Sequence, residues 1–161
     1  MREMRRSRQL LSQQDCEMIL KENTSGVLSV YGEDGYPYGV PLSYVYADEK
    51  LYFHSAKDGH KIDSVRNNNK VSFTVIAQDN IVAEEYTTYF QSVIAFGTAR
   101  ILEQDDEKRA AIEQLAEKYM PDLKEGRLQE IEKEFHRLCM IEVTIDSLTG
   151  KEAIELVRAR S

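Results

Sequence analysis

Only three histidines and two cysteines occur in the 161 residues of this chain. His54 and His60 stand six positions apart, and no H-x-x-x-H or C-x-x-C pair occurs, so no zinc centre is expected. Cys16 and Cys139 lie far apart without motif spacing, which reads as two reduced, buried thiols of a cytoplasmic protein. No Walker or Rossmann glycine pattern is present, which argues against a nucleoside triphosphate or a dinucleotide. No apolar run approaches the roughly 20 residues of a membrane helix. The basic start runs into Gln9, Ser12 and Gln13 rather than an apolar stretch, so no signal peptide is expected. Positive charge is in deficit, with 21 Lys and Arg against 28 Asp and Glu. The resulting net charge of −7 speaks against a general nucleic-acid binder, since phosphate backbones are held by surplus Lys and Arg. No nucleophile elbow surrounds Ser55, and Glu84-Glu85 and Asp105-Asp106 read as solvated turns or helix starts rather than acid/base pairs.

The length suits one domain with a real core, and no repeat or linker divides it. The expected domain spans 1–161, with a basic arm at 1–9 and a tail at 152–161. Arg2, Arg5, Arg6 and Arg8 crowd the arm. One reading is a solvated arm, and the other an arm folding over a neighbour or an anionic ligand. Ser12 to Asp15 reads as the capped start of a helix. Residues 26–31 read as a strand, 32–35 as a hairpin turn with Asp34-Gly35 at positive φ, and 38–46 as the return strand. Pro41 would remove a ladder donor, placing that strand at an edge or bulge. A strand at 51–54, a helix at 61–66, a strand at 71–77 and a long strand at 86–102 follow, Gly97 marking a bulge or close approach. Two helices fill 105–138, with Ile112, Leu115 and Ala116 on one face of the first. A strand at 140–145, a turn at Thr149-Gly150-Lys151 and a strand-like tail at 153–157 complete the chain. Tight hairpins make the sheet mainly antiparallel, and the strand spacing favours a small barrel with helices outside.

The chemistry points to Tyr52-Phe53-His54-Ser55-Ala56-Lys57-Asp58-Gly59-His60-Lys61. A strand ends in a hydroxyl residue, a glycine turn follows, and a His-Lys pair opens a helix. Hydroxyl, backbone N–H groups, a helix N-terminus and a lysine within one turn suit an anionic phosphate, hence a small phosphorylated cofactor. Tyr36, Tyr38, Tyr44 and Tyr46 recur at even spacing, with Tyr86, Tyr89 and Phe90 later. They form either a hydrophobic sheet face with hydroxyls reaching solvent or the wall of a pocket for a flat ring. For His54 a structural bond to a carbonyl and a functional role both stand; Lys151 reads as part of a turn and His136 as surface.

Val40-Pro41-Leu42-Ser43-Tyr44-Val45-Tyr46, Leu51-Tyr52-Phe53-His54-Ser55-Ala56, Gly59-His60-Lys61 and Ser92-Val93-Ile94-Ala95-Phe96-Gly97-Thr98-Ala99-Arg100 resemble the pyridoxamine 5′-phosphate oxidase-like, FMN-binding split-barrel superfamily. The arginine-rich start, GEDGYPYGVPL, YFHSAKDGHKID and the late Thr-Gly-Lys are similar to its branch of 5-nitroimidazole antibiotic-resistance proteins. The resemblance implies a six-stranded antiparallel split β-barrel with peripheral helices, forming a homodimer with FMN at the subunit interface. It places Pro41, Leu42, Ser43 and Tyr44 beside the flavin ring, largely through backbone groups, and His54, Ser55 and Ala56 where ring meets ribityl chain. His60 and Lys61 match the pair on the phosphate, and Ser92 and Gln91 the polar contact from the long strand. His60 stands where the oxidases carry Arg, and 156–161 lacks their pyridoxal-phosphate clasp, which separates the chain from vitamin B6 oxidation. The implied activity is FMN-dependent reduction of a small electrophile, nitroaromatics included, with His54 positioning or protonating the substrate. The alternatives are a non-enzymatic flavin carrier or sensor and, further off, a haem-binding relative. Partners are a second copy and a small molecule, without nucleic acid or membrane.

Overall fold

The computed structural model describes residues 3–160, so Arg2 of the arm and Ser161 of the tail lie outside the described residues. Ser12 caps the first helix, α1 (Gln13–Glu22), its hydroxyl accepting the Asp15 N–H at 3.0 Å. Then come β1 (Ser25–Tyr31), β2 (Pro37–Ser43), β3 (Val45–Ala47), β4 (Lys50–Ala56), α2 (His60–Asn67), β5 (Lys70–Val82) and β6 (Thr87–Ile101). The chain ends with α3 (Asp105–Tyr119), α4 (Lys124–Glu134), β7 (Leu138–Glu152) and α5 (Ile154–Ala159). Short 3-10 turns lie at Ser7–Gln9, Glu33–Gly35 and Ala83–Glu85.

All strand pairs are antiparallel, in the order β2-β1-β5-β6-β7-β4-β3. The two edges of this sheet are consecutive in sequence, since β2 and β3 are parted by Tyr44 alone. The expected return strand is therefore split, one half pairing with β1 and the other with β4, and six strands become seven. Hydrogen bonds leave the sheet open at this point, and the backbone through Tyr44 spans the gap. The result is a mainly β, antiparallel split barrel with helices outside it.

Alternation along each strand builds the interior. Leu28, Phe53, Phe73, Val75, Val93, Ala95, Ile141 and Val143 are inaccessible to solvent or nearly so. Phe73 packs edge-on against Tyr44 and Phe53, with centroids 4.8 and 5.0 Å apart. A second cluster joins α3, α4, β3 and β7 through Val45, Leu102, Ile112, Leu115, Ile131 and Met140.

Pro41 lies on the edge strand β2 in regular register with Val27. Asp34 and Gly35 take positive φ of 58° and 78° in the hairpin turn. Gly97 meets a register shift, and a Cβ there would lie 2.4 Å from the Thr144 carbonyl oxygen. Three expectations fail. The polar interval after residue 77 continues β5 to Val82, because β6 supplies every hydrogen-bond partner along it. Thr149-Gly150-Lys151 is not a turn but part of β7, paired with Ile94, Val93 and Ser92. The tail is helical from Ile154, not extended: the Ala153 N–H still donates to the Phe90 carbonyl on β6 at 2.9 Å, but the Leu156 and Val157 N–H groups then turn back to the Ala153 carbonyl. Among the described residues no helix is long and apolar enough to cross a membrane.

Candidate functional site: a basic corner and an adjoining chamber

β4 reads Lys50-Leu51-Tyr52-Phe53-His54-Ser55-Ala56, and its burial alternates. Leu51, Phe53 and Ser55 face the interior, while His54 and Ala56 face out. Three residues later Gly59 takes φ 130°, a conformation that favours glycine, and starts α2. Its carbonyl accepts the Ile62 and Asp63 N–H groups at 2.9 and 3.1 Å, and no side chain caps the helix. The leading N–H groups and the positive end of the dipole are thus left for a ligand. Two hydroxyls in this segment, Ser55 Oγ and Ser64 Oγ, are buried without a hydrogen-bond partner among the described residues. An orphaned buried hydroxyl is costly, so a pair of them marks a place built for something further.

Cations gather at the same corner. Cys139 pairs with Ser55 across the β4–β7 ladder. Burial pushes its thiol pKa up, against the pull of Lys108, Arg66, Lys57 and Lys61. Burial and the nearby Lys57 lower the Lys108 pKa, and its ammonium donates to the Phe135 carbonyl at 2.5 Å. Lys57 and Lys61 have no ion-pair partner among the described residues. His60 is differently engaged. Its ring stacks on Tyr38 with centroids 4.1 Å apart, and its Nε2 accepts the Glu33 N–H at 3.3 Å. With Nε2 as acceptor the proton sits on Nδ1, which remains a donor.

His54 makes no hydrogen bond among the described residues, so the structural reading, a bond to a carbonyl, does not apply. It opens on a cavity of about 340 Å³ whose walls include Ser43, Ile112, Ala116, Tyr119 and Ile131. Arg127 closes one side, donating to the Met120 and Pro121 carbonyls at 3.1 and 3.0 Å. The chamber is largely apolar, with one free imidazole in its wall.

Of the segment 41–44, Pro41 and Ser43 are exposed, Leu42 is half-buried, and Tyr44 is fully buried. The Tyr44 hydroxyl donates to the Leu20 carbonyl at 2.7 Å, and its backbone N–H donates to the Tyr119 hydroxyl at 3.1 Å. Burial raises the Tyr44 pKa. Lys118 lies 4.1 Å over the Tyr44 ring and donates to the Asn23 carbonyl, while Tyr119 donates to Thr24. Burial lowers the Lys118 pKa to about 8. Lys118 and Tyr119 escaped the sequence reading, because helical spacing shows a lysine on α3 but not the carbonyls beyond α1 that it reaches. Of the other tyrosines, Tyr38 and Tyr46 pack on the core, whereas Tyr36 and Tyr86 are exposed in turns.

Gln91 and Ser92 lie elsewhere. They pair with Glu152 and Lys151 on β7, whereas His54 and Ser55 pair with Met140 and Cys139. About eleven residues of β7 separate the two groups, on the order of 35 Å of strand. Gln91 donates to the buried Glu152 carboxylate at 3.2 Å. One chain therefore brings together the residues of β2, β4 and α2 but not those of β6.

No curated protein matches the chain. Among solved structures it is similar to a candidate 5-nitroimidazole antibiotic resistance protein from Bacteroides thetaiotaomicron, at 24% identity and TM-score 0.76, covering 89% of this chain and 86% of that one. An FAD-binding protein from Mesorhizobium loti is 28% identical with TM-score 0.64, covering 89% and 96%. A flavocytochrome from Azotobacter vinelandii shares 16% identity at TM-score 0.78, covering 94% and 72%. The pyridoxamine 5′-phosphate oxidase family model matches residues 12–152, nearly the whole barrel, and the chain belongs to that family.

Proposed function

We propose that the protein is a homodimeric, FMN-dependent oxidoreductase that reduces a small electrophilic substrate, nitroaromatic compounds being the candidate class. The observation that carries this reading is the basic corner: an uncapped helix N-terminus, two orphaned buried hydroxyls, and Lys57 and Lys61, which have no ion-pair partner among the described residues. These residues fit a phosphate monoester with a hydroxylated chain. Lys61 and Lys57 would hold the phosphate with the first N–H groups of α2, and the Nδ1–H of His60 adds one donor. Ser55 would meet the ribityl chain, and Pro41, Ser43, His54 and Ala56 would border the ring. FMN supplies the reducing electrons when bound. The chain's own residues orient the substrate in the chamber, exclude water with its apolar wall, and hold a proton on the His54 imidazole. The descriptions of the Mesorhizobium FAD-binding protein and the Azotobacter flavocytochrome support a flavin as the class of cofactor, and that of the Bacteroides resistance protein supports a nitroimidazole as a candidate substrate.

The placement of Ser92 supports a second copy. It lies beside Ile76 in register on the outer face of β1, β5 and β6, where Ile76 is 68% exposed and Val27, Ile94 and Phe96 are each 37% exposed. A contiguous apolar sheet face of this kind marks an interaction surface. Pairing two such faces about a twofold axis would direct Ser92 toward the partner's cofactor, which its own chain does not let it reach. The two free, buried thiols fit a reducing cytoplasm.

The test is to purify the protein, release and identify any chromophore, then reduce it without oxygen and add a nitroimidazole. FMN release and reoxidation by the nitro compound support the oxidoreductase. FMN without reoxidation by any nitro compound would leave the carrier reading, and a colourless protein that takes up no flavin would overturn both.

A further inference from the structure

The basic arm is a docked element. Leu10 bridges to Lys151, the Leu11 N–H donates to the Gly150 carbonyl at 3.0 Å, and the buried Gln9 side chain donates to the Glu152 carbonyl at 2.9 Å. Gly150 makes this possible. A Cβ there would lie 2.6 Å from Cys16 Sγ and 2.9 Å from Leu11 Cδ1, so glycine gives Leu11, next to the arm, room to pack directly on β7. The 3-10 turn Ser7–Gln9 also packs against α5. A cavity of about 420 Å³ opens between them, lined by Arg5, Arg6, Ser7, Arg8, Gln9 and Ile154. Arg158 stands one turn beyond Ile154 on α5, hence on the same face.

The charges here are unusual for an acidic chain. Among the described residues none of Arg5, Arg6, Arg8 and Arg158 has a carboxylate partner within 4.0 Å. Two acids of the adjoining segment are already engaged: Glu152 is held by Arg160 and Gln91, and Glu155 accepts from Thr87. Three arginines lining one cavity without counter-charges, with Arg158 on the adjoining face of α5, make a positive field that an anion would relieve. Each presents a planar fork that matches phosphate oxygens.

We propose that the arm and α5 form a second anion site, separate from the cofactor corner, that binds a small phosphorylated ligand carrying at least two negative charges. The cavity exceeds what one phosphate fills, and Ile154 gives it an apolar wall for an organic group. Within one chain the site sits at the Lys151 end of β7, opposite the Cys139 end where that chain's cofactor corner lies. In the proposed dimer Ser92, paired with Lys151, turns toward the partner's cofactor, so the flavin content of an arginine-depleted variant decides whether the two sites are separate. The anion site does not depend on the nature of the cofactor.

Calorimetric titration of the purified protein, saturated with whatever flavin it holds, tests this with inorganic pyrophosphate, ADP and adenosine as probes. Pyrophosphate and ADP should bind, increasingly weakly as salt rises, and adenosine should not. Changing Arg5, Arg6, Arg8 and Arg158 together to Gln should weaken ADP at least about tenfold, with flavin content unchanged. Absence of binding by both anions, equal binding by the variant, or loss of flavin in the variant would each overturn a separate site. The melting temperature of the variant, compared with that of the unaltered protein, excludes unfolding as the cause of lost binding. Should the protein hold no flavin, ADP binding lost in the variant would still support the anion site.

Discussion

The His60 imidazole lies against the Tyr38 ring at a centroid distance of 4.1 Å and an interplanar angle of 15°. A residue expected on a phosphate is thereby also a clamp on the β1–β2 hairpin, because its Nε2 accepts the Glu33 N–H within the turn. The adjacent Lys61 has no such duty, and the two positions separate by experiment. Lys61→Ala should lower flavin occupancy at unchanged melting temperature. His60→Ala should lower both, with a stability loss of about 1 kcal/mol from the ring pair and turn bond. Flavin stoichiometry and thermal melts read the two effects, and full occupancy in Lys61→Ala would remove it from the cofactor site.

The chamber beside His54 gives a complementary pair of substitutions. His54→Gln should keep flavin and fold yet slow reduction of a nitro compound by on the order of a hundredfold, the scale of a lost proton donor. Ala116→Phe fills the chamber wall and should raise KM more than it lowers kcat. Steady-state kinetics distinguish the two, and unaltered kinetics in both would place the substrate elsewhere.

Phe96→Asp puts a charge in the middle of the exposed face of β6. It should convert a dimer to a monomer in sedimentation analysis and release flavin at the same time, because Ser92 would then no longer reach the partner. A monomer that retains full flavin would show that the site is complete within one chain.

Lys118 sets the alkaline stability profile. Its folded pKa, lowered by burial to about 8, lies below the ordinary lysine value of 10.5. Above pH 8 the folded state has shed a proton that the unfolded state keeps, so stability rises with pH. Cys16 acts in the opposite sense. Burial pushes its pKa up to about 11 from 9, so above pH 9 the unfolded thiol ionises first and stability falls. Urea midpoints should therefore rise from pH 8 to about 9 and decline beyond, where the raised pKa of Cys139 adds to that of Cys16 and the two together outweigh Lys118, and Lys118→Met should flatten the rise. An unchanged alkaline slope in that variant would refute the assignment.

Glu142 is nearly inaccessible, and accepts from Lys50 at 3.2 Å and Arg100 at 2.7 Å. Burial works to raise its pKa, but the hydrogen bonds from Arg100 and Lys50 prevail and hold it below the ordinary carboxylate value. The stability it contributes is present at neutral pH and is lost as pH falls through its lowered folded pKa. Glu142→Gln should destabilise the protein by about 2 kcal/mol at pH 7 and lessen its acid sensitivity. Denaturant titrations at pH 7 and pH 4 check both parts.

The legible elements were those with local signals. The Ser12 cap, the Asp34-Gly35 turn, the bulge at Gly97 and the apolar face of α3 each depend on residues a few positions apart. The illegible ones depended on distant partners. The split at Tyr44 arises because β1 and β4 draw the return strand to opposite edges of one sheet. Thr149-Gly150-Lys151 has turn chemistry but stays extended because Ser92, Val93 and Ile94 pair with it. Residues 153–157 have strand composition, but after the Ala153 N–H bonds to Phe90 the chain closes on the Ala153 carbonyl and folds locally into a helix.

For the candidate site the division is similar. Sequence alone placed a hydroxyl, a glycine turn and a lysine at one strand-to-helix junction, since those residues are neighbours along the chain. It also carried the family, through motifs spread over most of the length. Tertiary structure alone decided that Tyr44 is committed to the core and that Lys57, Lys61, Arg66 and Lys108 meet at one corner. It also set Ser92 far from His54 and laid Leu11, just after the arginine arm, over Gly150. Those relationships are set by strand register and helix packing, which join residues distant along the chain and leave no periodic trace in the sequence.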